Sequence, residues 1–379
     1  MLVPLSNSPR DYAWGSPTLL ADFTGRTPSG SPEAEIWFGD HPGCPSTVDD
    51  GSGRTLDVWL GERGAAPLPY LVKLLAAGSS LSIQAHPSVA EAREGFAREE
   101  AAGIARDAPE RLYRDDNHKP EIVVAVSETF RALVGLRPLA QTRRLVAALG
   151  SSAGPAALAE HLAGEDESAA MRTTLAWVLG GDAQAEVEDI IAAVRQAAAP
   201  EFSAELAALR RIADDFPGDP GVVVALLMNL VELQRGQALY APAGVLHAYQ
   251  DGLGLEVMAA SDNVLRGGLT PKHIDVAELL RIVDTTPGPA PVVVPSGDVL
   301  DVGIPDFVVT RALVDGEARV ALHGPAIALT VRGEVEVAGA GSGTSFTLHP
   351  GMAAYADADE RELVFRGAGE VFLAQPGIG

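Results

Sequence analysis

A change in the spacing of apolar residues along the chain constrains its fold most strongly. Residues 1–137 carry short apolar runs bounded by glycine and proline, such as Tyr70–Ala76 and Ile122–Val126. Runs of this kind are typical of β-strands. Residues 138–218 instead place apolar side chains at the i, i+3, i+4, i+7 spacing of a helix, as in Val187–Val194. The sequence therefore predicts a helical segment inserted into a β framework.

Three further helices are predicted outside that segment. The first, from Val89 to Ala102, follows Pro87-Ser88, which is a good helix start signal. The second covers residues 219–233 and begins near Pro220, because proline is favoured in the first turn of a helix. The third runs from Asp275 to Ile282.

The C-terminal region returns to short apolar runs. The Pro-rich stretch Thr286–Pro295 is interpreted as a linker. Beyond Val299, glycines such as Gly333 and Gly367 separate short apolar runs, a pattern that suits a second small β-barrel or sandwich. We therefore expect a discontinuous β domain (residues 1–137 plus 219–285), a helical insert (138–218) and a C-terminal β domain (286–379).

Composition limits the partners of the chain. The formal net charge is −23, so nucleic acid and anionic lipid are unexpected partners, and an anionic substrate needs a locally positive site. The single cysteine, Cys44, permits no internal disulfide and fits a reducing compartment. The first residues carry no apolar run of signal-peptide length. The expectation is a cytoplasmic protein that is not bound to a membrane, as a monomer or weak homo-oligomer.

Three separate segments carry side chains that could bind one metal ion. Gln84 and His86 would share one face of a strand. Glu121 heads an apolar strand, where an unpaired carboxylate is costly to bury. His247 ends a Gly-x5-Pro-x-Gly-x2-His stretch that resembles the second cupin motif, whose turn directs a histidine onto a metal. Each residue alone is more often an ordinary polar or core side chain, but together they propose a site of two imidazoles, one carboxylate and one amide oxygen, which zinc accepts.

Two longer motifs resemble those of the type I phosphomannose isomerases. Residues 113–121 read Tyr-Arg-Asp-Asp-Asn-His-Lys-Pro-Glu and are similar to the family signature Tyr-x-Asp-x-Asn-His-Lys-Pro-Glu. Residues 247–272 are similar to the second signature, with Gln250 in place of an apolar residue and Gly267 in place of alanine. The resemblance is clear over residues 1–137 and 219–280.

This resemblance implies a fold, a reaction and a set of site residues. The fold is mainly β with α, with a cupin (jelly-roll) catalytic domain, an inserted helical domain and a second C-terminal cupin-like domain. The reaction is the zinc-dependent, reversible isomerisation of mannose 6-phosphate and fructose 6-phosphate, with one zinc ion per chain. The implied zinc ligands are Gln84, His86, Glu121 and His247. The implied substrate-site residues are Ser82, Lys73, Lys119, Glu256 and Arg266.

The roles of the substrate-site residues are partly open. Aldose–ketose exchange through a cis-enediol needs a base near C1 and C2 and stabilisation of a developing negative oxygen. Arg266 and Lys119 are expected to stabilise that oxygen. The base is Glu256 or Lys119, and we favour Glu256 with Lys119 assisting. Ser82 and Lys73 are expected at the phosphate, and Arg266 could serve the phosphate or the oxyanion, or form a salt bridge.

Two other functions are compatible with a metal-binding cupin. One is an iron-dependent oxygenase, although the Lys- and Arg-rich lining suits a phosphosugar better. The other is a sugar-binding regulator without catalytic activity, because a fold does not fix a function.

Overall fold

The computed structural model describes residues 1–293 and 298–378. In chain order, the strands of these residues are β1 (Leu2–Ser6), β2 (Glu35–Phe38), β3 (Thr47–Val48), β4 (Tyr70–Ala77), β5 (Ile83–Ala85), β6 (Glu121–Ala125), β7 (Thr129–Leu136), β8 (Met228–Gln234), β9 (Ala238–Ala241), β10 (His247–Ala259), β11 (Leu265–Gly268), β12 (Val292–Val293), β13 (Val299–Leu300), β14 (Val308–Ala321), β15 (Ala326–Gly339), β16 (Ser345–Leu348), β17 (Ala353–Ala356) and β18 (Glu362–Gln375). The α-helices are α1 (Leu19–Phe23), α2 (Leu56–Gly61), α3 (Val89–Ala101), α4 (Leu139–Ala148), α5 (Ala153–His161), α6 (Glu167–Leu179), α7 (Gln184–Gln196), α8 (Ser203–Asp215), α9 (Gly221–Leu227) and α10 (Val276–Ile282).

The strands form two sheets. Strands β2 and β4 to β12 make a ten-stranded sheet, and β1, β3 and β13 to β18 make an eight-stranded sheet. The prediction of a mainly β protein with helices is confirmed, although neither sheet is a closed barrel, so the barrel alternative for the C-terminal region is wrong. None of the described helices is long and apolar enough to cross a membrane.

Strand β10 organises the sheet that carries the predicted site residues. Its first residues pair with β5 and β7, and its later residues pair with β4 and β6. A register shift between Tyr249 and Asp251 separates the two halves, and such an irregularity bends a strand. One strand therefore contacts four others, which brings side chains from distant parts of the sequence together.

The predicted helices are largely confirmed. Helix α3 begins at Val89, where Ser88 and Glu91 form a reciprocal capping box. Helices α6, α7 and α8 bury the apolar side chains that carried the helical periodicity. Helix α10 matches the segment predicted after Asp275, whose side chain caps it.

The predicted helix over residues 219–233 is wrong in its second half. Helix α9 ends at Leu227, and residues from Met228 onwards form β8. Strand β8 pairs with β7 along seven residue pairs, from Thr129↔Gln234 to Leu136↔Met228. The apolar run fits a buried helix or a buried strand equally well, and pairing with β7 decides between them.

The C-terminal strands are longer than predicted. Strands β14, β15 and β18 each contain 14 residues. Gly333 and Gly367 lie inside β15 and β18, with φ of 76° and 116°. A Cβ on Gly333 would meet Ala368 O at 2.0 Å, so this glycine permits close strand packing and does not end a strand.

The first residues of the chain join the C-terminal sheet. Strand β1 pairs with β17, with Leu2 opposite Ala356, and also with β3. A hydrophobic cluster shared by both sheets contains Val72 and Ile122 from one and Leu329 and Phe372 from the other. The predicted domain boundaries stay a prediction.

The predicted linker is structured in part. Within it, Val292–Val293 form strand β12, which pairs with β9. Val294 and Pro295, the last residues of that linker, lie outside the described residues.

Candidate active site

The four predicted metal ligands converge at the paired ends of three strands. Gln84 lies in β5, His86 directly follows that strand, Glu121 begins β6 and His247 begins β10. His247 is paired with Gln84, and the amide end of Gln84 lies 3.4 Å from His247 Nε2. The candidate ligand atoms of His86, Glu121 and His247 all lie within 4.8 Å of one another, and all three residues are buried.

Backbone carbonyls determine the tautomer of both histidines. His86 Nδ1 lies 2.7 Å from the carbonyl oxygen of Asn263, and His247 Nδ1 lies 3.0 Å from that of Val245. A carbonyl oxygen only accepts, so each Nδ1 carries the proton and each Nε2 presents a lone pair when the ring is neutral. Outer hydrogen bonds of this type orient metal-bound histidines.

The lone pairs face a carboxylate, and this arrangement fits a bound cation. His86 Nε2 lies 3.2 Å from Glu121 Oε1, and His247 Nε2 lies 3.1 Å from Glu121 Oε2. Burial lowers the pKa of His86 to about 4, although Glu121 opposes the shift, so this ring is neutral at pH 7. His86 Nε2 is buried and has no hydrogen-bond partner. A divalent cation between these acceptors would satisfy all of them, and two imidazole nitrogens with carboxylate and amide oxygens suit zinc.

Glu121 remains ionised despite its burial. Its side chain is 1% exposed, and burial alone raises a carboxyl pKa. The neighbouring Lys119 ammonium, 2.8 Å away, outweighs that effect and holds the pKa of Glu121 well below its usual range. The site therefore supplies one negative charge to a metal.

A cavity of about 530 Å³ opens above this cluster. Gln84 and Glu121 lie on its wall, so the candidate metal site adjoins the cavity. The five predicted substrate-site residues, which are Ser82, Lys73, Lys119, Glu256 and Arg266, all line it. The structure thus brings the whole predicted set together, and the individual roles stay predictions.

Lys73 and Glu256 form a buried ion pair on one wall. They are paired across β4 and β10, with Lys73 Nζ 2.9 Å from Glu256 Oε2. Glu35 lies 3.7 Å from the same ammonium and accepts a hydrogen bond of 2.7 Å from Trp37 Nε1. Burial lowers the pKa of Lys73, but Glu256 and Glu35 raise it further, so the ammonium stays charged. Burial raises the pKa of Glu256, and Lys73 opposes that rise.

Three cations on the cavity wall lack carboxylate partners. Within the described part of the chain, no Asp or Glu oxygen lies within 4 Å of a charged nitrogen of Arg114, Arg266 or Lys272, so the salt-bridge alternative for Arg266 is not observed. Burial lowers the pKa of Arg266, and Arg114 adds to the effect. Burial also lowers the pKa of Lys272, with further contributions from Arg266 and Arg114. These unpaired positive charges form a site for an anionic group.

Sequence reasoning missed Asn263. This residue is 0% exposed, and its side-chain oxygen accepts hydrogen bonds from the backbone amides of Arg114 and Asp115. Its side-chain nitrogen donates to the carbonyl oxygens of Asp115 and Asn117, at 2.9 and 2.8 Å. Asn263 therefore holds the 113–121 motif and, through its own carbonyl, orients His86. The sequence offered only an Asp-Asn turn as a signal.

The two departures from the family signature are accommodated locally. Gln250 is buried and donates a hydrogen bond of 2.8 Å from Nε2 to Ser80 Oγ. A Cβ on Gly267 would lie 3.4 Å from the nearest atom, Ile83 Cγ2, so the alanine of the signature would also fit. Neither change alters a predicted ligand.

The fold and the site together define a class of protein: a two-sheet β protein with a candidate mononuclear metal centre beside a cation-lined cavity. The sequence model of the phosphomannose isomerase type I catalytic domain matches residues 2–139. The chain is 37% identical to the mannose-6-phosphate isomerase of Salmonella typhimurium and 36% identical to that of Escherichia coli, over 97% of the chain and 97% of each relative. The chain belongs to the mannose-6-phosphate isomerase family.

Solved structures agree with this assignment. A crystal structure of mannose 6-phosphate isomerase from Salmonella typhimurium, described as bound to its substrate f6p and to zinc, is 32% identical to this chain. It superposes with a TM-score of 0.89 over 100% of both chains. A zinc-bound form of mannose 6-phosphate isomerase matches with the same TM-score, identity and coverage.

Proposed function

We propose that this protein is a zinc-dependent isomerase that interconverts D-mannose 6-phosphate and D-fructose 6-phosphate through a cis-enediol. The observation that carries the proposal is the placement of a buried two-histidine, one-carboxylate cluster against a cavity lined by unpaired cations. Relatives in the family are named mannose-6-phosphate isomerases, and a similar solved structure is described as bound to f6p and zinc.

Gln84, His86, Glu121 and His247 are the proposed zinc ligands. The histidines would bind through Nε2, because each Nδ1 hydrogen is directed at a backbone carbonyl. The bound ion would supply Lewis-acid polarisation of the sugar oxygens at C1 and C2. One zinc ion per chain follows, since the described residues contain a single such cluster.

The phosphate end of the substrate is proposed to lie beside Arg266, Ser82 and the neighbouring cations. Arg114 and Lys272 join this group because neither is neutralised by a carboxylate in the described structure. A dianionic phosphate would relieve the mutual repulsion that lowers the pKa of Lys272. Lys73 is a less direct candidate for the phosphate, because its ammonium is already bound to Glu256.

Glu256 is the proposed base. Its raised pKa makes the carboxylate a stronger proton acceptor than an exposed glutamate, and the residue lines the cavity. Glu256 would take the proton from C2 of the aldose and return it to C1, while Lys119 and Arg266 stabilise the negative oxygen that develops. Lys119 is the alternative base, although its ammonium already contacts Glu121 Oε1 at 2.8 Å.

Isomerisation in deuterium oxide tests this proposal. The zinc-loaded protein is incubated with mannose 6-phosphate, and the product is analysed by NMR. Formation of fructose 6-phosphate with solvent deuterium at C1 is the expected result, because the proton that the base takes from C2 exchanges with solvent before the base protonates C1. Binding of mannose 6-phosphate without any product would contradict the proposal and favour a sugar-binding regulator.

Glu256→Gln decides between the two candidate bases. The amide preserves size and hydrogen bonding but cannot take a proton, so turnover should fall by about 100-fold or more. Near-normal turnover would remove Glu256 from this role and leave Lys119.

A further inference from the structure

We infer that Asp306, a residue of the C-terminal β region, positions the active-site segment His118–Lys119, an inference that rests on the proposed function. His118 Nε2 donates a hydrogen bond of 2.8 Å to Asp306 Oδ2. His118 directly precedes Lys119, which lines the cavity and contacts the candidate ligand Glu121. A residue 188 positions further along the chain thus contacts the signature segment.

The segment needs such support because, in the described part of the chain, its backbone is hydrogen-bonded only at its ends. The carbonyl oxygen of Asn117 accepts hydrogen bonds from the side chains of Ser261 and Asn263, at 3.2 and 2.8 Å. The carbonyl oxygen of Pro120 accepts one of 3.1 Å from the backbone amide of Ala259. Between these points the chain is outside any strand, since β6 begins only at Glu121. In the described residues, His118 and Lys119, which lie between these points, are held by contacts of their side chains.

Those side-chain contacts connect two sides of the segment. Lys119 Nζ lies 2.8 Å from Glu121 Oε1, on the cavity side. His118 makes its hydrogen bond with Asp306 instead, and it does not line the cavity. A displacement of His118 would therefore move the backbone that carries the Lys119 ammonium.

Asp306 is buried beside the hydrophobic core. It is 8% exposed, and the next residue, Phe307, is 0% exposed within the hydrophobic cluster shared by both sheets. The carbonyl oxygen of Pro305 accepts a hydrogen bond of 3.0 Å from the backbone amide of Gly377. Ile122, next to Glu121, belongs to the same cluster as Phe307. Asp306 and strand β6, which follows the segment, are therefore both anchored in the same hydrophobic cluster.

The structure therefore gives the C-terminal β region a role in placing Lys119. Small displacements of a group that acts on the transition state cost far more in turnover than in substrate binding. Asp306 touches neither the cavity nor the candidate ligands, so it acts through His118 as a positioning residue.

Kinetics of Asp306→Ala and Asp306→Asn in the zinc-loaded protein test this inference. Asp306→Ala should lower kcat by about tenfold with KM changed by less than about twofold. Asp306→Asn retains an acceptor for His118 and should recover most of the lost kcat. Asp315→Ala, which removes an exposed carboxylate from β14 of the same region, should leave kinetics and zinc content unchanged.

A His118→Ala background separates positioning from a general structural role. If Asp306 acts through His118, adding Asp306→Ala to His118→Ala should lower kcat no further. Equal losses in the two backgrounds, or a wild-type kcat for Asp306→Ala, would overturn the inference. If Asp306→Ala does not fold, His118→Ala carries the test, because it removes the same hydrogen bond, and a wild-type kcat for His118→Ala would overturn the inference. An inactive zinc-loaded wild type would instead refute the proposed function itself.

Discussion

At the residue scale, the strongest evidence for a metal at the candidate centre is a buried nitrogen atom that lacks a hydrogen-bond partner. His86 Nε2 is buried without a hydrogen-bond partner and faces a carboxylate that is itself ionised. Such a cluster is unfavourable without a cation, because acceptor faces acceptor in a buried site. The hydrogen bonds from both Nδ1 atoms to backbone carbonyls already orient the rings for metal binding.

Replacing Glu121 with glutamine should abolish zinc binding at this centre. The change removes the only negative charge among the four proposed ligands, and metal affinity depends on that charge. We expect zinc content below about a tenth of wild type and at least about 100-fold lower turnover. Metal analysis and the isomerase assay check both values. The exposed Glu110→Gln is the matched control, and zinc retention at wild-type level in Glu121→Gln would contradict the ligand assignment.

Replacing Asn263 with alanine should weaken both the fold and the centre. The change leaves the backbone amides of Arg114 and Asp115 and the carbonyl of Asp115 without the side chain that they bind. We expect a loss of about 2–4 kcal/mol in the free energy of unfolding, and weaker zinc binding because the same loop orients His86. Urea denaturation and zinc titration measure these effects, and Asn263→Asp, which keeps the acceptor, should be intermediate. Wild-type stability of Asn263→Ala would contradict this account.

At the element scale, periodicity predicted helices well and strand ends poorly. Helices α6 to α8 follow their apolar spacing because each buries one face. Residues Val222–Met228 are apolar without interruption, so nothing local indicates that α9 ends at Leu227. Gly333 and Gly367 resemble turn residues in sequence, but they occur where two long strands approach too closely for a Cβ. Long-range pairing determined these outcomes, and a local pattern does not contain it.

Helix α3 should be destabilised by a substitution that normally favours helices. A Cβ on Gly95 would meet the Tyr113 ring at 2.4 Å. Gly95→Ala should therefore cost about 1–3 kcal/mol through overpacking, despite a gain of about 1 kcal/mol in helix propensity. Gly61→Ala is the matched control, since α2 leaves open space there, and it should be neutral or stabilising. Denaturation curves of both variants decide, and a stabilised Gly95→Ala would contradict the packing described.

The contacts between α3, α10 and the signature motif should make stability depend on pH. Glu278 accepts hydrogen bonds from Tyr113, Arg98 and Arg281. Burial raises its pKa, but Arg281, Tyr113 and Arg98 lower it more, to about 2 from the usual 4.5. Because the folded pKa is lower than the unfolded one, the stabilisation is complete above pH 4.5 and is lost as the pH falls towards 2.

Glu278→Gln tests that pH dependence. The variant should be less stable at pH 7, and its stability should fall less steeply than that of wild type between pH 4.5 and 2. Thermal melts across this range measure both quantities. An equally steep fall in the stability of both proteins between pH 4.5 and 2 would contradict the assigned contribution of Glu278.

At the scale of the whole molecule, the two sheets pack against each other. They share a hydrophobic cluster. The Tyr70 hydroxyl oxygen of β4 also lies 2.9 Å from each of two carbonyl oxygens in the C-terminal region, those of Pro325 and Ala374. Strand β1, at the start of the chain, pairs with β17 in the C-terminal sheet, so the N-terminal region is part of both sheets.

Calorimetry should therefore show one unfolding transition for the two sheets. Multidomain proteins often unfold in steps, but a shared core couples their stabilities. Two well-separated transitions would contradict this prediction and indicate that the C-terminal sheet is an independent unit.

The sequence contained most of the site because the motifs that supply it are local. Glu121 and Lys119 lie in one motif, and His247 and Arg266 lie in the other. The contact of Asp306 with His118 and the hydrogen bonds of Asn263 to the 113–121 motif were not predictable, because each connects residues that are far apart in sequence. Side chains that perform chemistry were thus visible in the sequence, whereas those that hold them in place required the fold.

The central claim is that one zinc ion, held by Gln84, His86, Glu121 and His247, makes this protein a mannose-6-phosphate isomerase. The most direct test is a zinc titration of chelator-stripped protein, followed by a coupled assay for fructose 6-phosphate formed from mannose 6-phosphate. We predict negligible activity in the stripped protein and a rise that reaches its plateau at one zinc ion per chain. Full activity in demonstrably metal-free protein, or no fructose 6-phosphate from protein with one zinc bound, would contradict the claim.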